Sequence, residues 1–120
     1  MVEIVAKFHY WDYGEFSRTA MVSRPEIKIE EVEKIAKEFG LRVEVKRALV
    51  PYFEFGPLGG YRRVEIQVSG ENPEDVRVCV GRIFLLYGRP DEVPAAIFGS
   101  KRIGKKIIDG LLREFNEGRI

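Results

Sequence analysis

Two alternating segments on either side of a glycine-rich stretch constrain the fold most. Apolar residues occupy every second position in Leu41-Arg42-Val43-Glu44-Val45 and again in Val64-Glu65-Ile66-Gln67-Val68. This alternation places successive side chains on opposite faces of a β-strand. The stretch Gly56-Pro57-Leu58-Gly59-Gly60 between them has the composition of a turn. The sequence therefore predicts a long antiparallel hairpin with one apolar and one polar face.

A further strand is predicted at residues 2–11, where the same alternation recurs. The side that we expect to face the core carries Ile4, Ala6, Phe8 and Tyr10. The side that we expect to face solvent carries Lys7, His9 and Trp11. Residues 12–25 are predicted to form a loop, because Gly14 breaks the alternation and Pro25 disfavours a helix before it.

Three segments have apolar residues at helical spacing. They are residues 28–39, residues 73–87 after the N-cap candidate Asn72, and a last segment that starts at Ser100 and is ended by Gly118. The apolar face of the last helix is predicted to contain Ile103, Ile107, Ile108, Leu111, Leu112 and Phe115. Residues 93–98 favour a brief fourth strand, with a loop as the alternative.

The order of these elements predicts an α+β fold. It is a ferredoxin-like split β-α-β sheet (β-α-β-β-α-β) with an additional C-terminal helix, and the helices cover one sheet face. We expect residues 1–120 to form a single domain, because no linker or low-complexity segment interrupts them. This layout hosts many unrelated functions, so it does not identify one.

Composition excludes several classes of protein. The chain is 45% hydrophobic and has a net charge of +1, which excludes a disordered chain and any global attraction to nucleic acid or anionic membranes. No apolar run reaches the ~18 residues that a membrane-spanning helix needs, and residues 1–7 lack the pattern of a signal peptide. A cytoplasmic location is expected. Gln67 is the only glutamine, a composition typical of proteins from very hot environments.

The chain offers few groups for catalysis. Cys79 is the only cysteine, so a disulfide or a cysteine-based zinc site is excluded, and its helical spacing places it in the core. His9 is the only histidine, so no metal site or cofactor is predicted. A small enzyme using His9 with Asp12 or Arg18 remains an alternative. The sequence favours a protein that is not an enzyme.

The segment 99–106 resembles the phosphate-binding P-loop in having Gly-x-x-x-x-Gly-Lys before a helix. It lacks the Ser or Thr that holds Mg²⁺ in that motif, because Lys106 stands at the position. A weaker interpretation is an anion site for phosphate or a nucleic-acid backbone at the helix start. Its candidate residues are Ser100, Lys101, Arg102, Lys105 and Lys106. Sequence-specific RNA recognition is disfavoured, because Trp11 is the only stacking platform predicted on the open sheet face.

Aromatic residues are concentrated at the tip of the predicted hairpin. The candidate partner-binding residues are Tyr52, Phe53, Phe55, Leu58 and Tyr61. Exposed apolar clusters of this kind mark association surfaces, and folding back onto the sheet is the alternative. The leading hypothesis is therefore a small non-enzymatic binding or assembly module that forms a homodimer, or contacts another protein, through residues 52–61. The rival hypothesis is anion binding at residues 99–106.

Overall fold

The computed structural model describes residues 3–12, 27–51, 60–94 and 100–119. These residues form three strands, β1 (Ile4–Asp12), β2 (Arg42–Pro51) and β3 (Gly60–Gly70). They also form three helices, α1 (Ile29–Glu38), α2 (Pro73–Tyr87) and α3 (Ser100–Asn116). The predicted α+β class is confirmed.

The strands form an antiparallel sheet in the order β1-β3-β2, with β3 in the centre. β3 runs antiparallel to both neighbours, so β1 and β2 run parallel to each other. The predicted hairpin is confirmed, and its arms are longer than the alternation alone indicates. Strand pairing continues to Pro51 opposite Gly60, because a proline is tolerated at the end of an edge strand.

A fourth strand is not observed in the described residues. Val93 and Pro94 belong to no strand, and the rest of the predicted segment, residues 95–99, lies outside the described residues. One isolated bridge joins Glu92 to His9, whose backbone N–H donates to the Glu92 carbonyl at 2.8 Å. Pro94 has no N–H to extend such a ladder. Because the described sheet has three strands, the ferredoxin-like layout is not confirmed.

Two predicted helix ends, at Asn72 and at Gly40, are found where the sequence placed them. The side chain of Asn72 accepts a hydrogen bond from the backbone N–H of Glu74 at 3.0 Å, as an N-cap should. Gly40 follows α1 with φ of 66°, the left-handed conformation that favours glycine. These residues fix where α1 ends and where α2 begins.

The core lies between the helices and one face of the sheet. Even-numbered residues of β1 and β3 are buried there, together with the apolar side of α2 and with Cys79, as predicted. The ring of Phe8 contacts Tyr10 and Phe84 edge to face, with centroids 5.8 and 5.4 Å apart. No helix in the described part of the chain is long and apolar enough to cross a membrane.

The predicted apolar face of α3 is wrong at one position. Ile108 and Leu111 are buried, and Ile107, Leu112 and Phe115 pack against the core, but Ile103 is 43% exposed. The reason is the neighbouring residue, Gly104, whose backbone approaches β1 so closely that a Cβ there would overlap the Val5 carbonyl. The helix therefore contacts the strand through glycine, and the isoleucine side chain next to it is left partly exposed.

Candidate functional site

The open sheet face is the side of the sheet that faces away from the core. Cross-strand pairing places its side chains in rows across β1, β3 and β2. The rows are Trp11–Arg63–Ala48, His9–Glu65–Lys46 and Lys7–Gln67–Glu44. The assignment of Lys7, His9 and Trp11 to one face of β1 follows the predicted alternation, but the expected exposure of His9 does not.

His9 is buried, with 2% of its surface exposed, so the prediction of a solvent-exposed histidine is wrong. Two features of the fold explain the burial. Residues 91 and 92 bond to the outer backbone edge of β1 at His9, with Asp91 N–H donating to the His9 carbonyl at 2.9 Å. The polar side chains of Arg63 and Glu65 on β3 close against the imidazole from the other side.

Four side chains form a continuous chain of polar contacts across β1 and β3. Lys7 Nζ lies 2.8 Å from Glu65 Oε1, and the same oxygen lies 3.0 Å from His9 Nε2. The guanidinium of Arg63 approaches His9 Nε2 to 3.2 Å. The chain therefore runs Lys7–Glu65–His9–Arg63 and has a cation at each end but one carboxylate between them. We call these four residues the His9 cluster.

The central nitrogen of the His9 cluster faces two groups with opposite requirements. Arg63 can only donate a hydrogen bond, and an ionised Glu65 can only accept one. When Nε2 carries a proton it satisfies Glu65 and offers no acceptor to the Arg63 donor beside it. When Nε2 carries a lone pair it satisfies Arg63 and opposes Glu65. One nitrogen cannot serve both neighbours, so one contact is always unsatisfied.

The second nitrogen of His9 has no hydrogen-bond partner in the described residues. Nδ1 is fully buried, and the nearest described carboxylate oxygen, Glu92 Oε2, is 3.9 Å away, beyond hydrogen-bond distance. A buried, unpaired polar atom costs about 1–3 kcal/mol, and native proteins contain few of them. Unfavourable local features of this kind cluster at functional sites, where the surrounding structure maintains them.

Glu65 is the best-satisfied member of the cluster. Burial raises the pKa of its carboxyl, but hydrogen bonds from Lys7 and His9 and their charges outweigh burial and hold the pKa below its ordinary value. Only 14% of its side chain is exposed. Glu65 is therefore a carboxylate that is already neutralised by Lys7, and no described carboxylate compensates the charge of Arg63.

Arg63 differs from the other partly buried arginine of the described residues. Arg77 donates to Glu114 Oε1 at 2.8 Å and lies 3.6 Å from Glu74 Oε1. No described carboxylate lies within 4.0 Å of Arg63. Its contact is with His9 Nε2, which carries either a lone pair or a proton. A guanidinium group without a carboxylate or phosphate partner is unusual at a partly buried position, because its removal from water costs free energy.

The sequence predicted neither the His9 cluster nor Arg63 as a site. The sequence does contain a signal for the cluster, because the alternation of apolar and polar residues placed His9, Arg63 and Glu65 on one face. Alternation gives no cross-strand register, however, and only register shows that the histidine lies beside both charged residues.

The predicted partner-binding residues are not tested by the described residues. Tyr52, Phe53, Phe55 and Leu58 lie outside the described residues, and Tyr61 is described only as a backbone position in β3, opposite Val50. The hairpin surface therefore stays a prediction.

The predicted anion site at the start of α3 is placed in part. Lys105 Nζ pairs with Asp109 Oδ2 at 2.8 Å, while Arg102 and Lys106 are exposed. Ser100 and Lys101 lie in the first turn, and their side chains are outside the described set. Gly104 lies inside the helix against Val5, so close packing explains this glycine of the P-loop-like segment.

Two further observations limit the chemistry of the described residues. No group of three or more His, Cys, Asp or Glu side chains among them is arranged to hold a metal ion. Burial raises the pKa of the Cys79 thiol to about 11, against the lowering effect of Arg82. A buried thiol with a raised pKa holds little of the nucleophilic thiolate form at neutral pH.

No known protein family, no curated protein and no solved structure matches this chain.

Proposed function

We propose that the chain is a non-enzymatic binding module that takes up a small oxyanion, a carboxylate or a phosphate, at Arg63 on the open sheet face. The proposal is supported by the two contacts at His9 Nε2, because Arg63 and Glu65 cannot both form a hydrogen bond with this one nitrogen. An oxyanion that accepts from Arg63 removes the competition. His9 then donates Nε2–H to Glu65, and every group around the nitrogen is satisfied.

The charges around Arg63 favour an anion. In the His9 cluster two cations, Lys7 and Arg63, surround one carboxylate. Lys46 lies in the next row on β2, one diagonal position from Arg63, and its Nζ is 3.6 Å from Glu44. Diagonal cross-strand neighbours are ~7–8 Å apart at their Cα atoms, within reach of a lysine side chain. Ala48, directly opposite Arg63, is small and exposed, so it leaves room above β2.

Binding fits the geometry better than proton transfer does. A general base must reach within hydrogen-bond distance of a substrate proton. The unpaired nitrogen of His9 is buried, and Nε2 is enclosed by Glu65 and Arg63. The enzyme alternative with Asp12 or Arg18 rests on side chains outside the described set.

Titration of the chain with inorganic phosphate and, separately, with succinate tests the proposal, with NMR chemical shifts as the readout. Arg63→Gln is expected to weaken binding by about tenfold to a hundredfold, since a charge-assisted hydrogen bond contributes ~1.5–3 kcal/mol. Comparison of the two anions distinguishes a phosphate site from a carboxylate site. Arg113→Gln, at an exposed position of α3, is the matched control and is expected to bind like wild type.

The Arg102→Gln, Lys106→Gln variant separates this proposal from anion binding at the start of α3. If that variant loses the anion and Arg63→Gln retains it, the site is at the helix start and the proposal is wrong. The same conclusion holds if neither anion perturbs residues around Arg63 at low ionic strength, where electrostatic binding is strongest.

Self-association through residues 52–61 is a second candidate. One described observation favours it, namely that strand pairing continues to Pro51 and Gly60, so the hairpin that carries this segment is formed. Sedimentation of wild type and of a Phe53→Ser, Phe55→Ser variant tests it. A variant that associates as strongly as wild type would exclude this surface.

A further inference from the structure

β2 is an edge strand of the described sheet, and no described strand pairs with its outer side. Its neighbour in the described sheet is β3, and pairing with β3 is continuous from Arg42 to Pro51 without a bulge. The edge is exposed along the strand, at Arg42, Glu44, Lys46, Arg47 and Ala48. An unpaired edge of this length is a template for another strand unless it is blunted.

The direction of the unpaired backbone groups follows from the register. The backbone N–H and C=O of His9 bond outwards, to residues 91 and 92. The backbone groups of odd-numbered residues in β1 are therefore directed away from β3. Outward and inward groups alternate along an antiparallel strand. From the observed register, the backbone N–H and C=O groups of odd-numbered residues in β3 are directed towards β2. The backbone groups of odd-numbered residues in β2 are then directed outwards, away from β3. Val43, Val45 and Arg47 therefore present the free edge, and no described residue bonds to their outward groups.

We infer that β2 pairs antiparallel with β2 of a second copy of this chain, about a two-fold axis at Val45. The pairing places Glu44 opposite Lys46 of the second copy, and Lys46 opposite its Glu44. It also brings the outward groups of Val43 face to face with those of Arg47 in the other copy. Residues 42 to 48 of each chain are then paired, and the two sheets become continuous.

Charge selects this register over its neighbours. Because outward groups must meet outward groups, each residue pairs with one of the same parity. An axis at Glu44 or at Lys46 places that residue opposite its own copy, and like charges directly opposite are destabilising. An axis at Arg47 does the same for arginine, and an axis at Val43 pairs only residues 42 to 44. The axis at Val45 alone combines a long overlap with two opposite-charge pairs.

The same charges restrict which strand the edge of β2 fits. Charged side chains on an edge disfavour pairing with a strand that places like charges opposite them. Glu44 and Lys46 have opposite signs two positions apart, and their side chains are about 60% exposed (57% and 63%). This pattern is complementary to itself in antiparallel orientation, so the partner that it fits is a second copy.

Sedimentation equilibrium of charge-reversed variants tests the inference. The wild type is expected to dimerise. In a dimer of Glu44→Lys, both cross-strand pairs between positions 44 and 46 consist of two lysines. In a dimer of Lys46→Glu, both pairs consist of two glutamates. Each single variant is expected to dimerise at least about fourfold more weakly, since each of the two cross-strand pairs contributes ~0.2–1 kcal/mol and reverses sign. An equimolar mixture of the two variants restores both opposite-charge pairs and is expected to dimerise like wild type.

Circular dichroism separates a lost interface from lost folding. Glu44→Lys is the cleaner variant, because Glu44 lies opposite the neutral Gln67 within its own sheet, whereas Lys46 lies opposite Glu65. A wild type that stays monomeric at its highest soluble concentration overturns the inference, as does a mixture that fails to associate while the wild type dimerises. A dimer that Phe53→Ser, Phe55→Ser abolishes and Glu44→Lys leaves intact assigns the interface to the hairpin tip instead. Loss of anion binding in Arg63→Gln does not bear on this interface.

Discussion

Gly104 of α3 lies against the carbonyl of Val5 in β1, so closely that a Cβ on the glycine would overlap the carbonyl oxygen. The carbonyl belongs to the outer edge of β1, on the same edge where residues 91 and 92 bond to His9. The helix therefore covers one end of an edge whose other end is bonded by residues 91 and 92, and glycine permits the approach.

Gly104→Ala is predicted to destabilise the protein by about 1–3 kcal/mol, because a methyl group there must displace backbone rather than a flexible side chain. Gly110→Ala in the same helix is the matched control. No atom lies within 4 Å of its added Cβ, so alanine should stabilise by about 0.5–1 kcal/mol through helix propensity. Urea unfolding of both variants measures the difference. Equal shifts of the same sign would contradict the close contact.

Glu65→Gln is predicted to destabilise the protein by about 1–3 kcal/mol at neutral pH, because it removes a buried charged acceptor from Lys7. The pKa of Glu65 is lowered in the folded state, so its contribution is present above the unfolded value of 4.5 and is lost as the pH falls through the folded pKa. Unfolding free energies of wild type and variant should therefore converge in acid. Glu33→Gln, at an exposed position, should change the neutral-pH value by no more than about 0.5 kcal/mol.

Tyr87→Phe is predicted to cost about 1–2 kcal/mol, because the hydroxyl donates to Glu31 Oε2 at 2.8 Å and accepts from Lys28 N–H at 3.2 Å. Burial and the hydrogen bond to Glu31 raise the pKa of Tyr87 to about 12 from an ordinary value of 10.0. Its contribution to stability is thus present below pH 10 and is lost as the pH rises to 12. Near-ultraviolet absorbance against pH should show a tyrosine titrating near pH 12 that the variant lacks.

Cys79 is predicted to resist thiol reagents in the folded protein at neutral pH. Burial raises its pKa from 9.0 to about 11, which lowers the thiolate fraction about a hundredfold. Reaction with a coloured disulfide reagent should be slow in buffer and fast in denaturant. Fast reaction in buffer would show that α2 opens or that the thiol is not in the core.

Sequence patterns were sufficient for most of the fold, because alternation and helical spacing report which face of an element is buried. They placed Cys79 in the core and Asn72 at a helix start from local chemistry alone. Ile103 was assigned wrongly because a periodic pattern assumes that the side chains of α3 make the contact, and here a glycine backbone makes it. A fourth strand was favoured at residues 93–98 from a short apolar run, which does not distinguish a strand from a loop, and the described part of that run, Val93 and Pro94, belongs to no strand.

The His9 cluster was beyond sequence reasoning for a different reason. His9 and Glu65 are far apart in the chain, and a shift of one residue in register would place His9 opposite a residue on the other face of β3. The sequence identified the polar face but not which charges meet on it. Register decided that, and with it the competition between Arg63 and Glu65 for one nitrogen.

The most direct test of the proposed function is the tautomer of His9, measured from the ¹⁵N chemical shifts of its two ring nitrogens with and without inorganic phosphate. If an oxyanion occupies Arg63, phosphate should shift His9 towards the form that carries its proton on Nε2, bonded to Glu65, and Arg63→Gln should abolish the response. An imidazole whose ¹⁵N shifts stay constant while phosphate saturates the chain would contradict the account.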